Sequence, residues 1–296
     1  VRLSILDFQT AACALEMAPA AERLGFHRYW LGEHHSRYQC ANPLLLATVL
    51  AGLTERMRIG TGGVCLDYAT PYRVAEDARL AAYLFPDRLD LGLARGLGYP
   101  APLHAALGGG GAGGAESFAA RATAVHQFVT GRLPSGHPLE GTELHLEAGP
   151  PVWILGTSPS TARLAAALGA GLCLSLHHAP DEAAARAAIA EYRTAFAPSP
   201  EFAAPAVLAV MSGVCAEDSP TAVALAAEIA ARAGAGAGAG RPGFAGDPGE
   251  CAALLTALAA RLDLDELMIL DFLDDWDRRT RMYELLAGAL HLAALP

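Results

Sequence analysis

The chain has 296 residues, 53% of them hydrophobic and 18% charged, with a formal net charge of −10. That length fits one barrel-sized α/β domain with a large core. Every basic residue is Arg, and no basic cluster stands out. An acidic chain of this kind is a poor nucleic-acid binder, because phosphate neutralisation dominates such affinity.

Short β-branched or Leu-rich runs alternate with Ala-rich helical stretches. In chain order the expected strands are LSIL, RYWL, RIGTGGV, LDLGLA, VWIL, LCLSL, VLAVMSGV and ELMILDF. Helical patterns come after them at 12–24, 43–54, 72–84, 115–130, 160–168, 181–196, 219–233 and 276–291. Eight strands, each with a helix after it, predict a single (β/α)8 TIM barrel over 1–296 rather than an open sheet. Gly-rich tracts at 108–114 (GGGGAGG) and 233–240 (AGAGAGAG, running on to 246) interrupt the pattern as loops, either plain insertions or gates.

Cys13, Cys40, Cys65, Cys173, Cys215 and Cys251 are scattered without a CxxC pair, which reads as reduced thiols rather than a disulfide frame or zinc site. The opening VRLSILDFQT carries Asp7 within its only apolar run. No charge-free stretch is long enough for a membrane span, so a cytoplasmic protein without a signal peptide is expected.

Catalytic residues of a barrel stand at the C-terminal ends of its strands, so the residues just past each strand are the informative ones. After the second come Glu33, His34 and His35, which could supply a base, a hydrogen-bond donor or metal ligands, or form a solvated strand end. Alternation along an extended segment predicts that only one of the two histidines faces the mouth. After the third, Gly62 and Gly63 mark either a bulge or the close approach of a ligand. After the fourth comes Arg95, a clamp for an anion or a rim salt bridge. After the fifth, Thr157, Ser158 and Thr161 lead into a helix, as a cap or as an anion site. Combined with Arg95 on a neighbouring strand, a phosphate site is the better reading. His177 and His178 come after the sixth strand and read as solvated more readily than as mouth residues. Asp263 to Glu266 (DLDE) reads as a solvated turn rather than a metal box. No GxGxxG after a strand, Walker A, GxSxG or HExxH occurs. Pattern alone therefore ends at a barrel enzyme with an anionic ligand and no metal.

From Arg28 to Gly98 the chain resembles the luciferase-like monooxygenase family. RYWLGEHH, NPLLLATVLAGLTERMRIGTGGV, TPYRVAED and DRLDLGLARGL carry the resemblance almost without gaps. PPVWILGTSPSTARLAAALG is similar to the family's phosphate-binding strand and helix. GFAGDPGECAALLTALAARLDLDELMILDF is similar to its closing unit. Together these cover roughly half the chain.

The resemblance implies a barrel enzyme using reduced FMN from a separate flavin reductase. Its C4a-peroxy adduct with oxygen would oxygenate a small organic substrate. It also implies a homodimer through 43–54 and 72–84. By the same resemblance His34 is the catalytic histidine, flanked by Glu33 and His35. Arg95, Ser158 and Thr161 are phosphate ligands, and Thr157 stands in place of a carboxylate. Gly62 and Gly63 occupy the place of a non-prolyl cis peptide under the flavin ring.

The chain departs from the family at a short loop after the first strand, at Ala94 in place of a reactive cysteine, and at the Gly-Ala tract in place of a long covering loop. Alternatives within the resemblance are a deazaflavin (F420)-dependent oxidoreductase, a non-catalytic flavin-binding subunit and a flavin-storage protein.

Overall fold

The computed structural model describes residues 1–35, 40–96, 99–108, 117–141, 149–233 and 242–293. Both Gly-rich tracts fall, except at their edges, outside the described residues. Among the described residues, ten strands run in chain order: β1 (Arg2–Asp7), β2 (Arg28–Leu31), β3 (Arg58–Thr61), β4 (Val64–Cys65), β5 (Leu89–Ala94), β6 (Val152–Gly156), β7 (Gly171–Ser175), β8 (Val207–Cys215), β9 (Phe244–Gly246) and β10 (Glu266–Leu270). All pairings are parallel. The order β1-β2-β3-β5-β6-β7-β8-β10 closes where β10 returns to β1, giving the expected (β/α)8 barrel.

The connecting helices are α1 (Ala11–Arg23), α2 (Pro43–Ala51), α3 (Pro71–Leu84), α4 (Ala101–Ala106), α5 (Phe118–Thr130), α6 (Pro159–Leu168), α7 (Glu182–Ala195), α8 (Ser219–Ala233), α9 (Pro248–Leu262) and α10 (Trp276–Ala289). Two of these exceed the one-helix-per-strand expectation. α4 is a six-residue turn of helix after β5. α9 comes after β9, a short strand added to the end of β8, so the crossover from β8 to β10 carries two helices. A capping box between Asp247 and Glu250 starts α9, satisfying two N–H groups that a helix start otherwise leaves unpaired.

Alternation along each strand separates two cores. Leu3, Ile5, Tyr29, Leu31, Ile154 and Ile269 face the helices and join the larger cluster. Leu6, Trp30, Trp153, Cys173, Val210 and Met268 form a separate cluster that fills the barrel. Trp30 and Trp153 meet edge to face there, with ring centroids 5.5 Å apart. The rings need room that only glycine leaves. A Cβ on Gly60 would lie 2.5 Å from the Trp30 indole nitrogen, and one on Gly171 would lie 2.3 Å from the Trp153 ring.

Below this plug, at the N-terminal ends of the strands, lies a charged layer. Arg28 donates to Asp90 at 2.6 Å and to Glu266 at 3.0 Å, and Arg58 donates to Asp90 at 2.7 Å. Burial alone would raise the Asp90 carboxyl, but Arg28 and Arg58 outweigh it and hold it at about 2. Glu266 is 3% exposed, which corrects the solvated-turn reading of Asp263 to Glu266. Asp263 and Asp265 are exposed and fit that reading, Asp263 as the left-handed cap of α9 paired with Arg193. A second buried network ties α10 to the barrel, where Arg279 bridges Asp7 at 2.9 Å and Asp271 at 2.8 Å.

The fit of Trp153 over Gly171 is directly testable. Gly171→Ala should cost about 1–3 kcal/mol by overpacking. In a Trp153→Leu background the same change should cost less than half as much, because the colliding ring is gone. Denaturant titration of the four proteins gives the coupling, and strict additivity would contradict the packing described.

Candidate active site

The C-terminal ends of the strands open above the plug into a cavity of about 240 Å3. It gathers Glu33 and His34 after β2, Gly62 and Gly63 between β3 and β4, Arg95 after β5 and Thr157 after β6. Leu6, Phe8, Leu155 and Val210 supply apolar wall. Six of the nine residues singled out from the sequence thus line one cavity.

His34 packs its ring against Phe8, with centroids 4.6 Å apart. Glu33 beside it is 9% exposed. One carboxylate oxygen accepts the Cys65 N–H at 2.8 Å, and the other contacts His35 Nε2 at 2.7 Å. Burial raises the Glu33 carboxyl above its ordinary value, against the opposing pull of the Cys65 N–H and His35. His35 itself does not line the cavity. Its ring turns toward Tyr68 and Tyr99, its backbone N–H donates to the Tyr99 hydroxyl, and it borders a separate hollow of about 400 Å3. The alternation expected of the two histidines is what is observed.

The Gly62–Gly63 peptide is cis. A Cβ on Gly62 would lie 2.5 Å from Leu6, and one on Gly63 2.8 Å from the Gly92 carbonyl oxygen. The stretch therefore presents bare backbone to the cavity, which lets a flat ligand approach closely.

Arg95 is exposed, and its guanidinium has no hydrogen-bond or ion-pair partner among the described residues. Thr157 is also exposed, one residue before the cap of α6. Ser158 accepts the Thr161 N–H and also contacts the Ser160 and Thr161 hydroxyls at 2.8 and 3.1 Å. Thr161 is buried. Neither Ser158 nor Thr161 lines the cavity; both shape the turn that presents Thr157 and the first N–H groups of α6, an anion-favouring end.

The solvated reading of His177 and His178 is corrected on the β7 side of the mouth, where His178 faces the cavity and His177 is buried. Cys173, Ser175 and His178 line that side. His178 Nδ1 lies 2.7 Å from the Ser175 hydroxyl. His177 instead points inward, 2.9 Å from the Ser212 hydroxyl and against the Phe272 ring. Burial, and then His178, push the His177 imidazole down to about 4. The adjacent pair HHAP gives no hint of this split, because the chain turns immediately after β7. No group of three His, Cys, Asp or Glu side chains suited to a metal ion occurs among the described residues. All six cysteines are free thiols, and five of them are buried. No helix among those residues is long and apolar enough to cross a membrane.

The cavity of this parallel eight-stranded barrel thus has a bare-glycine floor, a histidine–carboxylate wall and, at the rim, an arginine without a partner among the described residues. The chain belongs to the luciferase-like monooxygenase family, whose model matches residues 5–265. It is 32% identical over 240 residues to the uncharacterised protein YceB of Bacillus subtilis, covering 76% of this chain and 72% of that one. It is 32% identical over 210 residues to a luciferase-like monooxygenase of Escherichia coli, covering 70% and 61%. A shorter match, 38% over 84 residues (28% and 23%), is to the oxygenase component of the flavin-dependent trigonelline monooxygenase of Acinetobacter baylyi. Among solved structures, apo-MsnO8 superposes with a TM-score of 0.82 at 27% identity, covering 99% of both chains.

The same fold, at 15% and 14% identity, holds the oxygenating constituent of 3,6-diketocamphane monooxygenase from Pseudomonas putida in complex with FMN and an F420-dependent secondary alcohol dehydrogenase. Their TM-scores are 0.73 and 0.72. The former match covers 98% of this chain and 97% of that one; the latter covers 98% of each.

The buried His177 sets a pH dependence. A histidine whose folded pKa lies below its unfolded value of 6.5 contributes stability that is fully present above 6.5. That contribution is lost as the pH falls toward about 4, because only the unfolded chain takes up the proton. The loss across this window should be on the order of 2–3 kcal/mol. His177→Asn should flatten the stability profile between these limits, as read by urea titration at each pH. An unchanged slope would contradict it.

Proposed function

We propose that the chain is the oxygenase component of a two-component flavin monooxygenase, taking reduced FMN from a separate reductase and oxygenating a small organic substrate. The observation that carries this reading is the meeting, in one cavity, of Arg95, which has no partner among the described residues, Thr157 just ahead of the α6 cap, the bare Gly62–Gly63 backbone and His34. These residues fit FMN. A rim cation beside a helix N-terminus suits a phosphate, and backbone without side chains suits a flat ring. When bound, reduced FMN supplies two electrons to O2, so that one oxygen atom enters the substrate and the other leaves as water.

Each residue of the chain then has a definite task. Arg95 and Thr157 hold the phosphate directly, while Ser158 and Thr161 fix the turn behind them. His34 holds or moves a proton at its imidazole during oxygen transfer. Glu33, gripped by the Cys65 N–H and by His35, orients the segment that carries His34. His35 is therefore a positioning residue. Leu6, Phe8, Leu155 and Val210 keep water from the reacting face.

Two copies of the chain pair through α2 and α3 in this reading. Leu45, Val49 and Leu53 at α2, and Leu80, Tyr83 and Leu84 on α3, stand 46–64% exposed. Such a contiguous apolar face is unusual on a monomer. Sedimentation should show a dimer at micromolar concentration, and Leu45→Glu with Tyr83→Glu should give monomer. A monomeric unaltered chain would overturn this part of the reading.

Arg95→Ala should weaken FMN binding by about 1.5–3 kcal/mol, the size of a lost charge-assisted contact. Binding of riboflavin, which has no phosphate, should change little, as followed by flavin fluorescence. Equal losses for both ligands would mean that Arg95 serves the ring or the fold. Tighter binding of F420 than of FMN by the unaltered chain would favour the deazaflavin alternative.

A further inference from the structure

The barrel order divides the mouth into two arcs. Gly62–Gly63, Arg95 and Thr157 come after β3, β5 and β6, three consecutive strands, and make up the flavin side on the reading above. The remaining arc, from β7 through β8 and β10 to β1, contributes Cys173, Val210, Leu6 and Phe8 to the cavity, all apolar, together with Ser175 and His178. β2 and β7 stand four strands apart in either direction around the ring of eight. His34 and His178 therefore rise from opposite walls. A substrate whose reacting centre lies beside His34 extends across to His178.

Ser175 fixes what His178 offers. The Ser175 hydroxyl oxygen accepts the His178 backbone N–H at 3.3 Å and lies 2.7 Å from His178 Nδ1. Among the described residues Nδ1 is the acceptor within reach of the Ser175 hydroxyl proton, and taking that proton leaves the imidazole proton on Nε2. Nε2 has no hydrogen-bond partner among the described residues, and the side chain is exposed at the cavity. Desolvation lowers the His178 pKa, which favours the neutral ring.

We propose that His178, oriented by Ser175, is a specificity-determining residue: its Nε2–H donates to a carbonyl or hydroxyl oxygen on an otherwise apolar substrate. The assignment rests on the flavin reading for which arc is left to the substrate. Among the described residues that line the cavity, the rest of that arc offers no polar side chain besides these two, so a substrate with one acceptor oxygen and an apolar body matches it. A site built to donate to one oxygen discriminates against the analogue that lacks it.

The test uses two probes of one skeleton, 4-phenyl-2-butanone and butylbenzene, titrated into the chain saturated with oxidised FMN. The ketone-to-hydrocarbon affinity ratio should fall about five- to tenfold in His178→Phe, the effect of one net hydrogen bond. It should be largely kept in His178→Gln, whose amide also donates, and should fall partway in Ser175→Ala. FMN affinity should stay within about twofold in all three variants, and nitrogen NMR of the unaltered chain should show the His178 proton on Nε2. An unchanged ratio in His178→Phe, failure of either probe to bind, or a proton resting on Nδ1 would overturn the proposal. So would a loss of FMN affinity in His178→Phe, which would move the residue to the cofactor side. If the unaltered chain bound no FMN, the flavin reading would fail instead. The same ratio, measured on the chain alone, would then still decide the role of His178.

Discussion

The plug of Trp30 and Trp153 is the packing constraint on which the rest depends. Two indoles fill the middle of an eight-stranded barrel only because Gly60 and Gly171 carry no side chain beneath them. The Trp30 indole donates to Asp90 at 3.2 Å, and the Arg28 guanidinium stacks 5.3 Å from the Trp153 ring centroid. The plug is thereby welded to the charged layer below it. That layer closes the lower end of the barrel, and the cavity opens at the other. Residues at the upper strand ends are free to serve chemistry because the stabilising contacts of the barrel interior are made beneath them.

Electrostatic roles divide along the same axis. Below the plug, Arg28 and Arg58 are matched by Asp90 and Glu266, so no charge is left over to attract a ligand. Such a network is costly to break, since removing one member leaves its partner buried and unpaired. Above the plug, the Arg95 guanidinium has no partner among the described residues, in a chain of net charge −10. In the proposed function, an external anion completes that pairing.

Much of this was legible in the sequence, and the reasons differ residue by residue. Glu33, His34, Gly62, Gly63, Arg95 and Thr157 could be found because strand ends of a barrel converge, so position after a strand is itself spatial information. His35 was separable from His34 by alternation alone. Ser158 and Thr161 carry two meanings, cap and ligand, which no pattern separates; the structure shows the cap. Glu266 was hidden because its partner Arg28 lies 238 residues away, and a charge at the head of ELMIL looks like the end of a turn. His178 was hidden for a different reason. The backbone turns directly after β7, so strand periodicity no longer says which of two adjacent histidines faces the cavity.

A crystal structure of the chain soaked with FMN tests the central claim most directly. The account predicts the phosphate between Arg95 and the first turn of α6, with the ring along Gly62–Gly63 on the side of His34. A phosphate bound away from Arg95, or a ring outside the cavity above the tryptophan plug, would contradict it.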